Sequence, residues 1–196
     1  MSAAVPTARG DWRALATVLG TCTACPELAA ARTTVVVGEA PPGARLALVG
    51  EAPGAQEDLA GRPFVGKAGQ LLDALLAESG LDRSSVAVVN VLKCRPPGNR
   101  TPRRPEVDRC RPWLDRQLDL IRPDLVVALG LTAVGAFLGR GVRLGASRGV
   151  VHTVGGRDVL ATYHPSAAIR FGPRGAPMAA LREDLAYAAR ILEVSR

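Results

Sequence analysis

Short apolar runs alternate along this chain with longer segments in which apolar residues recur every three or four positions. The apolar runs are typical of buried strands, and the periodic segments are typical of amphipathic helices. The predicted strands are 46–49, 86–92 and 125–129, followed by a hairpin of 150–154 and 158–162 joined by two glycines. The predicted helices are 11–19, 68–79, 105–121, 131–138 and 176–194.

Strands that alternate with helices favour a parallel sheet covered by helices on both faces. The order of the elements therefore predicts one α/β domain over residues 1–196, with three layers (α/β/α) around a mostly parallel sheet. Residues 1–10 precede the first predicted helix, and we expect them to form a flexible N-terminus. Ligands of such folds bind at the carboxyl ends of the strands, so unusual residues just after a strand are candidates for a functional site.

The composition is that of an ordinary globular domain, with 47% hydrophobic and 22% charged residues. No run approaches the roughly 18 uncharged apolar residues of a membrane helix. Residues 1–10 also lack the apolar core of a signal peptide. We therefore expect a cytoplasmic monomer with no membrane association, in which cysteines stay reduced unless they bind a metal.

The chain is basic, with 25 Lys and Arg against 18 Asp and Glu, and only Lys67 and Lys93 are lysines. The planar fork of arginine suits phosphate better than the point charge of lysine. Six arginines crowd one proline-rich stretch: Arg95, Arg100, Arg103, Arg104, Arg109 and Arg111. A run of like charges is commonly a solvated loop, but arginines in a basic chain can also bind a polyanion. Both interpretations of this stretch remain open.

The four cysteines form one close pair, Cys22 and Cys25, and one loose pair, Cys94 and Cys110, with fifteen residues between its members. Four thiolates can hold either zinc or a [4Fe–4S] cluster. Zinc ribbons favour two close pairs, so the loose pair mildly favours the cluster. Buried cysteines that bind nothing are the alternative. Either metal site would tie the N-terminal segment to the arginine-rich stretch.

Several sequence motifs follow the predicted strands. The Gly-Glu-Ala-Pro-Gly loop at 50–54 follows the first strand, Asn90 lies late in the second, and His-Pro-Ser at 164–166 follows the hairpin. Further motifs occupy 56–58, 61–66, 68–72, 90–97 and 99–100. A second Gly-Glu-Ala-Pro at 38–41 lacks these downstream motifs, and we interpret it as a decoy.

With these motifs the chain closely resembles the family-four uracil-DNA glycosylases, the iron–sulfur class found in bacteria and archaea, from about Cys22 to the final helix. The resemblance implies the uracil-DNA glycosylase fold and a [4Fe–4S] cluster on Cys22, Cys25, Cys94 and Cys110. It also implies base excision repair, in which the N-glycosidic bond of deoxyuridine is hydrolysed to leave an abasic site. The implied partner is uracil-containing DNA, single- or double-stranded.

The resemblance further implies roles within a uracil pocket. Phe64 stacks on the base, Asn90 pairs with its Watson–Crick edge, and the N–H of Ala52 contacts it. His164 donates a hydrogen bond to uracil O2, where negative charge develops. Because Ala52 cannot act as a base, Glu51 is expected to position the attacking water.

DNA contacts are expected from basic and polar residues around the pocket, and the resemblance implies an apolar wedge in the segment after the His-Pro-Ser motif. The predicted DNA-binding residues are Lys93, Arg103, Arg104, Ser166, Ile169 and Arg170, with Ile169 as the wedge.

Two alternatives to a glycosylase that releases its DNA product and acts repeatedly remain open. A sister class links covalently to DNA through a histidine between the third and fourth metal ligands, but residues 95–109 contain no histidine. A non-catalytic DNA-binding iron–sulfur module would retain the cysteines and lose the pocket. The presence of Glu51, Phe64, Asn90 and His164 argues against that module.

Overall fold

The computed structural model describes residues 11–139 and 141–194, so the predicted flexible segment 1–10 lies outside the described residues. The strands are β1 (Leu46–Gly50), β2 (Ala87–Asn90), β3 (Leu125–Leu129), β4 (Val151–Val154) and β5 (Arg157–Thr162). The helices are α1 (Trp12–Gly20), α2 (Pro26–Ala31), α3 (Ala55–Ala60), α4 (Lys67–Glu78), α5 (Arg104–Ile121), α6 (Leu131–Leu138), α7 (Leu144–Ser147), α8 (Pro165–Phe171) and α9 (Ala176–Val194).

The strands form one sheet in the order β2-β1-β3-β5-β4, and only β4 runs antiparallel to its neighbour. The hairpin turns through Gly155 and Gly156, whose φ angles of 56° and 75° favour glycine. Val154 consequently pairs with Arg157 at the turn. The prediction of a mostly parallel sheet ending in a hairpin is confirmed.

Helices cover both faces of the sheet, because successive side chains of a strand point to opposite faces. On β1, Ala47 and Val49 join a core with α1, α5 and α6. Leu46 and Leu48 join a second core with α4, α8 and α9. Burial on both faces explains why the parallel strands are uninterrupted apolar runs in the sequence, and it confirms the three layers.

The structure differs from the predicted elements mainly in its short helices. The helices α2, α3, α7 and α8 have four to seven residues, too few for a helical period to emerge from the sequence. The second strand ends at Asn90 instead of residue 92. Within the described ranges, no helix is long and apolar enough to cross a membrane.

Candidate active site

A cleft of about 320 Å³ opens where the parallel strands end. β1 and β2 finish side by side, with Gly50 paired to Asn90, and β5 ends at Thr162, two residues before His164. Six predicted site residues line the cleft: Glu51, Ala52, Phe64, Asn90, His164 and Ser166. The remaining lining residues are Pro53, Gly54, Glu57, Ala68, Pro96, Asn99 and Arg100.

Phe64 forms one side of the cleft. Its ring centroid lies 5.6 Å from that of His164, with 31° between the ring planes. Glycines make room for this ring, since a Cβ on Gly50 would come within 2.7 Å of Phe64 ring atoms and clash with Asn90 Oδ1. Phe64 also has a positive φ of 55°, an unusual backbone conformation for a bulky residue. The cleft therefore depends on a close approach of backbone and aromatic ring.

Gly69→Ala should lower the free energy of unfolding by about 3 kcal/mol, the upper end of the overpacking range, because the new Cβ would overlap the main-chain carbonyl of Phe64. Thermal unfolding measures this loss as a lower Tm. Gly135→Ala is the matched control, since a Cβ on this α6 glycine meets nothing within 4 Å. The control should be neutral or stabilise by about 0.5–1 kcal/mol. Equal Tm changes in the two variants would contradict the close packing at Gly69.

Glu57 fastens two loops of the cleft to each other. Its carboxylate accepts hydrogen bonds from the main-chain N–H groups of Gly54 (3.1 Å), Val65 (3.0 Å) and Gly66 (2.8 Å). No role for Glu57 was predicted from the sequence. Its position three residues after the N-cap of α3 is that of the glutamate in a capping box, a signal that could have identified it.

Asn90 presents a buried acceptor to the cleft. The residue is 3% exposed, and its Oδ1 has no hydrogen-bond partner among the described residues. The chain beyond it remains attached to β1, because Val91 N–H donates to the Gly50 carbonyl and Leu92 N–H to the Glu51 carbonyl. A buried acceptor without a partner costs about 1–3 kcal/mol. A ligand that offers a donor to Oδ1 would recover this free energy.

His164 is the N-cap of α8, and its Nδ1 accepts a hydrogen bond from the main-chain N–H of Ser166 (3.2 Å). The Ser166 hydroxyl lies 2.8 Å from the same nitrogen. Burial lowers the pKa of His164 to about 4, although the Glu57 carboxylate acts in the opposite direction. The imidazole is therefore neutral at pH 7. With Nδ1 as the acceptor, its proton is on Nε2, which can donate.

Glu51 lies at the end of β1, and its Oε2 accepts a hydrogen bond from the Thr132 hydroxyl. Thr132 belongs to the first turn of α6, directly after β3. The contact exists because β1 and β3 are neighbours in the sheet. Thr132 thus orients the carboxylate, and no local feature of the sequence indicated this role.

The four cysteines line a second cavity, together with residues of α1, α2 and α5. All four are free thiols; Cys22 and Cys94 are buried and Cys25 and Cys110 are half-buried. Over the described ranges, no three His, Cys, Asp or Glu side chains are grouped tightly enough to hold a single metal ion. The two cysteine pairs, which are distant in the sequence, nevertheless line the same cavity.

Three cations surround this cysteine cavity. Arg32 Nη1 donates to Cys94 Sγ (3.0 Å) and Nη2 to the Cys22 carbonyl (2.7 Å). Arg109 also lines the cavity, and its charge opposes the burial that raises the pKa of the Cys25 thiol. Lys93 is the third cation that lines the cavity. Burial raises the pKa of Cys110 to about 11, so a metal must displace its proton. Positive charge at the cavity stabilises thiolates, and the contribution of Arg32 was not predicted from the sequence.

The structure contradicts the predicted DNA contact of Lys93. This lysine was expected to contact DNA, but its side chain is 1% exposed and its Nζ donates to the main-chain carbonyl of Asn90. An ammonium turned into the protein cannot reach a phosphate backbone. Lys93 is therefore removed from the DNA-binding set.

The other predicted DNA-binding residues lie on the surface. Arg103 pairs with Glu27, and Arg104 pairs with Asp108 (3.0 Å), in exposed ion pairs that leave both guanidinium groups accessible. Ser166, Ile169 and Arg170 are exposed on α8, the short helix that follows His164.

Phe171, which was not among the predicted DNA-binding residues, is 63% exposed at the end of α8, compared with 45% for Ile169. The helix therefore presents two exposed apolar side chains where one wedge was predicted.

Two arginines of the proline-rich stretch serve the fold. Arg100 lines the cleft and donates a bidentate pair of hydrogen bonds to the Glu106 carboxylate (2.9 and 2.6 Å). Arg111 donates to Asp115 (2.8 Å) and to the Ala136 carbonyl, which joins α5 to α6. The stretch is therefore neither wholly a solvated loop nor wholly a charged surface.

Two further features of the sequence lie apart from the cleft. Glu39, in the second Gly-Glu-Ala-Pro copy, pairs with Arg62 and Arg83, each at 2.7 Å, outside the set of cleft-lining residues. His152 lies in β4, with its Nε2 2.9 Å from the Ser147 carbonyl.

Comparison with known proteins identifies the family. Residues 37–186 match the uracil DNA glycosylase superfamily. The chain is 50% identical over 151 residues to the type-4 uracil-DNA glycosylase of Thermotoga maritima (76% of this chain, 78% of that protein). Identity to the Pyrobaculum aerophilum type-4 enzyme is 42% over 170 residues (82% and 85%), and to that of Archaeoglobus fulgidus 43% over 156 residues (76% and 78%). The chain therefore belongs to the uracil-DNA glycosylase superfamily and, within it, to the type-4 class.

Proposed function

We propose that this chain excises uracil from DNA by hydrolysing the N-glycosidic bond of deoxyuridine, and that the base is held in the cleft between Phe64, Asn90 and His164. The type-4 relatives support the reaction. The observation that carries the site assignment is the buried Asn90 Oδ1 without a partner among the described residues. Uracil N3–H is the donor that fits it, while the amide N–H of Asn90 donates to O4. Cytosine has the opposite pattern and leaves buried groups unpaired.

The reaction begins with a nucleotide turned out of the DNA stack, at a cost of a few kcal/mol. Phe64 stacks on the uracil ring, and the neutral His164 donates from Nε2 to O2. As the glycosidic bond breaks, the electron pair moves onto uracil and negative charge grows at O2. A neutral donor already aimed there stabilises this charge without a proton transfer.

Departure of uracil leaves positive charge on the sugar. We assign Glu51 to stabilise this charge and to position the attacking water, because the carboxylate lies at the cleft and is oriented by Thr132. The water oxygen bonds to the sugar carbon, and the proton that it loses balances the negative charge on the departing uracil. Ala52 has no side chain that could act as a base, and its N–H is assigned to contact uracil.

We assign a [4Fe–4S] cluster to the cysteine cavity, because Cys22, Cys25, Cys94 and Cys110 all line it. Four thiolates on one zinc ion converge to about 2.3 Å from it, whereas a cluster occupies the space between thiolates that surround a cavity. The cluster would supply structural support: it would join α5 and the segment after β2 to the N-terminal helices, and no bond-breaking step depends on it. Purified protein should contain iron and acid-labile sulfide and absorb visible light. Stoichiometric zinc without iron would overturn the assignment.

Arg103→Ala together with Arg104→Ala should weaken DNA binding and reduce the slope of log K against log salt concentration by about 0.7–0.9 for each lost phosphate contact. Titration of labelled DNA at several salt concentrations measures the slope. Arg182→Ala is the control, because this exposed arginine pairs with Glu78 at the opposite end of α4 from the cleft. An unchanged slope in the double variant would show that these arginines belong to a solvated loop.

The proposed activity is tested with oligonucleotides that carry a single uracil, single- and double-stranded, followed by alkali. Strand cleavage at the uracil position is expected, and its absence on both substrates would leave a non-catalytic DNA-binding module. A DNA adduct that survives denaturant would instead indicate the covalent class. The proposal includes a cytoplasmic monomer: four cysteines that form no disulfide suit a reducing compartment, and light scattering tests the oligomeric state.

A further inference from the structure

The fully buried lysine between the cleft and the cysteine cavity has no role in the reaction described above. Lys93 is 1% exposed, whereas the other lysine of the chain, Lys67, is exposed at the start of α4. Lysine is almost never fully buried unless its charge has a partner. The surroundings of Lys93 should therefore reveal what the charge is for.

Lys93 contacts both functional regions. On one side, its Nζ donates to the main-chain carbonyl of Asn90, the residue that presents Oδ1 to the cleft. On the other side, Lys93 lines the cysteine cavity together with Cys94 and Cys110, whose thiolate charge would favour its ammonium. The backbone is also held, because the Lys93 carbonyl accepts a hydrogen bond from Val36 N–H at 2.8 Å.

We propose that Lys93 is a positioning residue that couples the cysteine site to base recognition: its ammonium balances the thiolate charge and, through the Asn90 carbonyl, sets the place of the Asn90 amide in the cleft. The inference deepens the proposed function and rests on it. A lysine suits this position because its compact ammonium has three donors that can serve partners in different directions, unlike the planar fork of arginine.

Loss of the ammonium should have two consequences. The Asn90 carbonyl loses its buried donor, so the amide is less well held for uracil. The thiolates lose a nearby positive charge, and a reduced cluster, which carries one more negative charge, becomes harder to form. A residue that only fills space in the core would produce neither effect.

Lys93→Met tests both consequences, because methionine keeps an unbranched apolar side chain and removes the charge. With Lys67→Met as the control, we expect a more negative reduction potential of the bound cluster and about tenfold weaker binding of free uracil in Lys93→Met alone. A double-mutant cycle with Asn90→Ala should be non-additive: in the Asn90→Ala background, Lys93→Met should change uracil binding by less than about twofold. If Lys93→Met does not fold, Lys93→Gln, which is neutral but polar, replaces it.

Two results would overturn the coupling and leave Lys93 as a core residue. One is a cluster reduction potential that Lys93→Met does not change, and the other is an equal loss of uracil binding when Lys93→Met is made in wild type and in Asn90→Ala. The wild-type protein separates this failure from failure of the proposed function. If wild type does not release uracil from DNA, the activity is wrong. If it releases uracil but contains no iron, the cluster and the coupling both fall while the activity stands.

Discussion

His164→Ala should lower kcat for uracil release by about 100- to 1,000-fold, the cost of removing one preorganised donor to a developing oxyanion. The effect should appear mainly in kcat, because the bond from Nε2 to O2 strengthens as charge builds up in the transition state. Single-turnover cleavage of a uracil oligonucleotide measures it. His164→Gln restores an N–H donor without a titratable ring, so its activity should lie between those of wild type and His164→Ala. A loss expressed only in KM would contradict the transition-state role.

The low pKa of His164 also predicts the pH dependence. Burial lowers this pKa from 6.5 to about 4, so the ring stays neutral above about pH 5. A plot of kcat against pH should therefore show no change between pH 6 and 8 that is caused by ionisation of His164. The unfolded chain binds a proton at this histidine near pH 6.5, so the free energy of unfolding should fall as the pH is lowered from 6.5 to 4. His164→Gln should remove that part of the fall. Thermal unfolding at several pH values measures it.

Asn90→Asp should lower kcat/KM for uracil by about 10- to 100-fold and allow slow release of cytosine. The carboxylate cannot donate to uracil O4, and one unmatched buried group costs about 1–3 kcal/mol. It can accept instead from the exocyclic amine of cytosine. Parallel assays on oligonucleotides with a single uracil or a marked cytosine measure both rates.

Asn99→Asp is the matched control for this change. Asn99 also lines the cleft, but its Oδ1 already accepts a hydrogen bond from Arg95 Nε at 2.7 Å. Its replacement should leave the preference for uracil over cytosine as in wild type. If Asn90→Asp kept the wild-type preference, or if both variants lost it equally, Asn90 would not be the residue that reads the base.

The main elements of the fold could be predicted from the sequence because each long element carries a local signal. Strands such as β1 and β3 are buried on both faces and therefore appear as uninterrupted apolar runs. The long helices α4 and α9 repeat their apolar positions over several turns. The four-residue helix α7 has no room for a period and was missed.

The same local logic located part of the site. Parallel strands bring their carboxyl ends to one edge of the sheet, so Glu51, Asn90 and His164 could be grouped before any coordinates were known. Their partners could not. Thr132 reaches Glu51 because β1 and β3 are neighbours, and Arg32 reaches Cys94 across 62 positions of the chain.

The sequence alone was sufficient for the class of fold, the presence of a four-cysteine site and the kinds of side chain at the strand ends, because periodicity and motifs are local properties. Burial is not local, since it depends on which elements pack together. Lys93 shows the difference: its charge indicated a DNA contact, and its 1% exposure shows that it faces Asn90 and the cysteines instead. Tertiary structure alone decided which charges meet solvent and which meet each other.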